Sequence, residues 1–246
     1  MFSQYIKINS MNFIGIDPSL ISTAVVVNGN ITNYCRESKV MNKSGMSKWF
    51  KSAEQYCTYK YVTYRDFENY SDGELVKLKD YDSITENIIN DILEKIDVNI
   101  ETYIGIEGYN FGAQVGDLID LVTFSTLLRK KLFDRVSKNI IVYSPTSLKL
   151  ESCKFTYPPI SKIVGKRVQK IEYEYKNPIG IPGGKFTKME MAQAIIDNTV
   201  ITDDRWFSYL RGIKTEILSG KNIPKPHEDI NDAVLLYHIL KQQYSK

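Results

Sequence analysis

Histidine and cysteine are scarce in this chain. Its 246 residues include two histidines and three cysteines. Cys35, Cys57 and Cys153 are odd in number and widely spaced, so neither a disulfide framework nor a zinc site is suggested. Free thiols in a reducing, cytoplasmic setting are expected. No apolar run approaches the ~18 residues of a membrane-spanning helix, so no membrane association is expected. The opening MFSQYIKINSMNFIGID has no basic stretch followed by an apolar core and a small-residue cleavage site, so a secretory signal is not expected. A phosphate-binding glycine loop is also missing. In GIPGGKF (180–186) the first glycine of the required spacing is absent, and Phe186 stands where Ser or Thr must be.

An excess of charge of one sign is lacking overall but present locally. The net charge is +3. Between Lys149 and Lys188 nine Lys/Arg face three Glu, a net +6, which leaves −3 for the remainder. Lys166, Arg167 and Lys185 belong to this stretch. A basic segment on a nearly neutral protein suits a phosphate backbone. Apolar residues at 43% and charged residues at 25% fit an ordinary globular protein. The length suits a single domain, 1–246, carrying a basic insertion at about 151–180.

NFIGID (12–17) and STAVVV (22–27) read as strands, and Asn28-Gly29 after them marks a hairpin. Residues 37–79 read only as loop, short helix and strand. DSITENIINDILEKI (82–96) carries Ile84, Ile88, Ile92 and Ile96 as a helical stripe, with Ser83 and Glu86 as a capping box. TYIGIEG (102–108) is a further strand, 116–135 a long helix, and NIIVYSP (139–145) a strand stopped by Pro145. Helices are expected over 187–199 and from His227 to Tyr244, with 203–226 less regular. The order indicates an α/β fold: a mixed five-stranded sheet, strands 1–3 antiparallel, flanked by helices.

The acids carry the chemistry. Asp17 and Glu107 each end an apolar strand, a rigid place from which to aim a ligand. Asp229 and Asp232 are spaced i, i+3 at the start of the last helix and share one face of it. Packed against the sheet, that face brings four carboxylates together. Such a cluster needs cations, and hard oxygen ligands select Mg²⁺ or Mn²⁺. Two such ions ~4 Å apart activate a water and stabilise the leaving oxygen of a phosphodiester. Of the histidines, His227 is expected in an exposed loop and His238 in packing or at the surface.

FIGIDPSLISTAVVV, YIGIEGYNFGA, VYSPTSLK, GGKFTKMEMAQ and EDINDAVLL occur in the order found in RuvC-like Holliday junction resolvases, and the second block is similar to phage-encoded members. The resemblance implies an RNase H-like fold, a Mg²⁺-dependent endonuclease with two ions (Mn²⁺ able to substitute), four-way or other branched DNA as substrate, and a homodimer. It implies that Asp17 bridges the metals, that Glu107 binds one, and that Asp229 and Asp232 supply the remaining ligands. Lys149 and Lys188 match lysines that support phosphate binding and catalysis. The family places a stacking aromatic where this chain has Asn110, so Tyr109 and Phe111 on either side are the candidates for that role. Two alternatives stay open: the same nuclease chemistry on other DNA or RNA–DNA substrates, and an actin-like or sugar-kinase-like ATPase of the same fold lineage.

Overall fold

The computed structural model describes residues 11–36, 46–109, 115–154, 159–164, 168–173, 187–198 and 200–245. Strands β1 (Asn12–Asp17), β2 (Ser22–Val27) and β3 (Asn30–Arg36) form an antiparallel meander. Asn28 and Gly29 turn β2 into β3 with φ of 50° and 84°. Both are left-handed, as a two-residue hairpin turn demands. Helix α1 (Met46–Ala53) leads to β4 (Thr58–Val62), which pairs parallel with β3. Then come α2 (Tyr70–Leu93), β5 (Thr102–Glu107), α3 (Val115–Arg135), β6 (Asn139–Tyr143) and α4 (Pro145–Lys154). Strand β5 pairs parallel with β1, and β6 parallel with β5. The sheet order is β4-β3-β2-β1-β5-β6.

The mixed sheet with three antiparallel leading strands is as expected, but it has six strands, not five. The sixth, β4, lies on an edge and carries one Lys among Tyr and Thr. Its outer side meets solvent, so TYKYV lacks the apolar run that marks the buried strands. Helix α2 also begins three turns before the expected start. Asn69 caps it by accepting from the Asp72 N–H at 3.0 Å, and Ser83 and Glu86 fall inside the helix. The capping pattern there was a coincidence of composition. Ile84, Ile88 and Ile92 are buried as the stripe requires.

Residues 159–173 include a separate antiparallel pair, β7 (Pro159–Val164) with β8 (Val168–Tyr173), outside the main sheet. After it come α5 (Lys188–Ile196), α6 (Arg205–Gly212), α7 (Lys214–Leu218) and α8 (His227–Tyr244). The stretch 203–226, expected to be less regular, thus holds two short helices. No helix among the described residues is long and apolar enough to cross a membrane.

Both faces of the sheet are covered, which is why β1 and β2 are buried at every position. Ile14, Ile16, Val25, Val27, Ile104 and Ile106 pack on α2 and α3. Phe13, Ala24 and Val26 pack on α8, which α4 covers from outside together with side chains of α5 and α6. Every α8 residue from Asp229 to Leu240 is therefore buried.

Glycine sets the distance between α8 and the sheet. A Cβ on Gly15 would fall 2.0 Å from Ala233 O and 2.7 Å from Tyr237 N. Only glycine lets the helix backbone sit directly on β1. Backbone cannot move aside as a side chain can, so Gly15→Ala is expected to cost about 3 kcal/mol. Gly212→Ala, where nothing lies within 4 Å, is the control and is expected to leave the denaturation midpoint unchanged. Equal midpoints for the two variants would show that α8 does not rest on Gly15.

A candidate metal centre

The register of the central strands builds the site. Gly15 pairs with Gly105 and Ile16 with Ile106 in parallel strands. The two G-I-acid endings therefore finish side by side, with Asp17 and Glu107 on the α8 face of the sheet. Helix α8 crosses that face with its first turns over the strand ends and brings Asp232 in. One carboxylate oxygen from each of Asp17, Glu107 and Asp232 lies within 4.8 Å of the others. Asp229, expected as a fourth ligand, is not in this trio. It is buried on the same helix, one turn earlier, and close enough to Asp17 to raise its pKa.

A buried polar network holds the start of α8. Trp206 Nε1 donates to Asn231 Oδ1 at 2.7 Å. His227 is fully buried, with Nε2 2.8 Å from the Tyr209 hydroxyl, which in turn lies 2.7 Å from Ser52 Oγ. This corrects the expectation of an exposed loop histidine: His227 is the first residue of α8, walled in by Trp49 and Trp206. Burial pushes its pKa down to about 3, so the ring stays neutral. His238, buried on the same helix, meets Asp204 Oδ2 at 2.7 Å.

Two lysines answer the acids. Lys188, the first residue of α5, bonds Asp232 Oδ2 and stands 3.7 Å from Glu107 Oε1. Thr187 caps that helix through a capping box with Glu190, which fixes where Lys188 emerges. Burial alone would lower the Lys188 pKa, but Asp232, Glu107 and Asp17 override it and raise it. Lys225 bonds Asp229 Oδ1 and lies 3.5 Å from Glu228 Oε2. Sequence reasoning missed Lys225. Its i, i+4 spacing to Asp229 was the available signal, and Pro226 between them hid it.

The carboxyls remain strained despite these cations. Burial, then Glu107, Asp229 and Asp232, push Asp17 well above the usual carboxylate range. Burial outweighs Lys225 at Asp229 and raises it as well. Asp232 is pushed up to about 8, because burial outweighs the pull of Lys188. Moreover, Asp229 Oδ2 and Asp232 Oδ1 are buried with no hydrogen-bond partner among the described residues. Bare buried carboxylate oxygens are costly. A set of hard oxygen donors with two such atoms fits a divalent cation of the Mg²⁺ or Mn²⁺ type.

The acids line a cleft of about 640 Å³. Six Lys or Arg side chains line it too, Lys149, Lys188 and Lys225 among them. Tyr109 is turned towards α3: its ring lies under the Arg129 guanidinium at 4.4 Å, and its hydroxyl is 3.2 Å from Thr126 Oγ1. Arg129 also donates to Glu107 O at 3.2 Å and so steadies the end of β5. Phe111, Lys166, Arg167 and Lys185 lie outside the described residues. A larger groove of about 1030 Å³, between residues 54–58, the β2–β3 turn and α8, contains none of the four candidate acids.

No protein-family model matches the chain, and no curated protein matches it. Among solved structures, T. thermophilus RuvC in complex with Holliday junction substrate is similar over 96% of this chain and 98% of that one, at 10% identity and a TM-score of 0.42.

Proposed function

We propose that this chain is a metal-dependent endonuclease of the RNase H-like, RuvC type that cuts four-way or other branched DNA, as a homodimer, and that it is similar to phage-encoded members. The observation that carries the nuclease reading is the Asp17–Glu107–Asp232 trio with the bare Asp232 oxygen, in a cleft that also holds six basic side chains. Acids without His or Cys suit a hard divalent cation, and lysines suit the phosphate that such a cation acts on.

Asp17, Glu107 and Asp232 would hold the metal, and Asp229 would complete the set. A bound divalent cation supplies Lewis-acid polarisation of the phosphodiester and a water of lowered pKa. The strand ends fix Asp17 and Glu107 rigidly, so little reorganisation is needed during reaction. Lys188, now on Asp232, would meet the scissile phosphate as a point charge, and Lys149 lies in the same cleft. Junction preference rests on the ordered motifs. Paired incision of a four-way junction needs two active sites, hence the homodimer.

The test is cleavage of a synthetic four-way junction with Mg²⁺, beside linear duplex and RNA–DNA hybrid. Paired nicks near the branch point are expected. Binding of ATP without cleavage of branched DNA in Mg²⁺ or Mn²⁺ would overturn the reading and favour the ATPase alternative.

A further inference from the structure

The cleft continues past the carboxylates. Beyond Ser19–Ile21 it reaches a wall made by the end of β3, the segment 64–67 and the first turns of α2. Most of this wall comes from 37–79, where the sequence was least informative.

The wall alternates guanidinium and aromatic groups. The Arg36 guanidinium lies 4.3 Å from the centroid of the Tyr64 ring. Tyr64 is fixed from behind: its hydroxyl donates to Leu20 O at 3.0 Å, and its ring meets Tyr81 edge-on at 6.0 Å. Phe67 is seated on Gly73, where a Cβ would fall 2.5 Å from the ring. The missing side chain is the seat, yet Phe67 remains 46% exposed. Asp80 accepts both the Arg65 backbone N–H at 2.8 Å and its Nε at 2.6 Å, which anchors Arg65 at the cleft. The acids of this wall are thus already engaged: Asp80 by Arg65, and Asp120 by Lys77 at 3.1 Å. Arg36 has no carboxylate partner among the described residues.

Phe67, with the Lys77 ammonium 5.9 Å from its centroid, offers the exposed aromatic surface, Tyr64 backs the Arg36 guanidinium, and the guanidinium groups offer contacts to phosphate. That combination suits a strand whose bases are free to stack on protein. Bases within a duplex already stack on each other and must be extruded to enter a pocket.

From this arrangement we infer that the Arg36–Tyr64–Arg65–Phe67 wall binds an unpaired DNA strand and leads it to the carboxylates. The inference rests on the nuclease reading for the sense of that direction. It adds the state of the substrate: the branch enters the cleft single-stranded.

Anisotropy titration of the full chain, without divalent cation so that nothing is cut, tests it. The probes are a labelled oligothymidylate and a blunt duplex of equal length. Phe67→Ser and Arg36→Gln are each expected to weaken strand binding about tenfold and to leave duplex binding unchanged. Arg36→Gln should also lower the salt slope for the strand by about 0.7. Gly73→Ala, which keeps the Phe67 ring but unseats it, should weaken strand binding too. Melting temperatures verify that each variant is folded. Strand affinity like wild type in both the Phe67 and Arg36 variants, or an equal loss on strand and duplex, would overturn the inference. If wild type cuts branched DNA while those variants bind strand normally, the nuclease reading stands and this site falls. If the variants lose strand binding but wild type cuts nothing in Mg²⁺, this site stands and the nuclease reading falls.

Discussion

Asp17→Asn is expected to reduce cleavage of branched DNA by about 10³-fold or more. Asp17 sits at the centre of the acid cluster: Glu107 ends the neighbouring strand, and Asp229 and Asp232 face it from α8. Cation polarisation of a phosphoryl oxygen contributes several kcal/mol to the transition state, and each ~1.4 kcal/mol is tenfold in rate. Asparagine keeps the shape but offers no anionic ligand. The fold should survive, because in the absence of metal the substitution removes a buried repelled carboxyl. Its metal-free melting temperature is expected to equal or exceed that of wild type. DNA binding should be retained, since no basic side chain of the cleft is changed. Glu107→Gln should behave alike. Activity of the Asp17 variant within tenfold of wild type would remove Asp17 from the chemistry.

The second large effect is in stability against pH. Asp232 titrates at about 8 in the fold and near 3.8 when unfolded. Between those values the folded chain holds a proton that the unfolded chain releases, so stability falls as pH rises. Asp17 and Asp229 are shifted in the same direction. His227 acts oppositely: its pKa falls from 6.5 to about 3, so its contribution is full above 6.5 and is lost as pH drops. The two effects oppose each other below pH 6.5. From pH 6.5 to about 8 the carboxyls act alone, and metal-free stability should fall by up to about 1.4 kcal/mol per pH unit for each proton held. Mg²⁺ displaces that proton, so its stabilising effect should grow over the same window, with proton release on binding. Melting curves with and without Mg²⁺ across that window measure it. A Mg²⁺ shift independent of pH would mean that the ion binds away from these carboxyls.

The acids could be read from the sequence because their local and tertiary settings agree. GID and GIE end two strands that pair in register, so equal motifs take equal positions. The last helix runs from His227 to Tyr244 as expected, because apolar residues recur along it from Ile230 to Leu240. The start of α2 was hidden because Tyr70, Leu75 and Leu78 are exposed and do not extend the Ile84–Ile88–Ile92 stripe, while Ser83 and Glu86 mimic a cap. Edge strand β4 alternates too weakly to announce itself. The burial of His227 depends on Trp49, Trp206 and Tyr209, which lie on other helices and leave no local trace. Lys225 and Arg129 act on Asp229 and Glu107 through contacts that only the folded chain creates.

Whether the acid trio is a metal centre is most directly tested by anomalous scattering from a crystal soaked in Mn²⁺. The predicted result is a strong peak in contact with Asp17, Glu107 and Asp232, absent in Asp17→Asn, with Lys188 drawn away from Asp232. Manganese found only elsewhere on the protein, with the Lys188–Asp232 pair intact, would contradict the account.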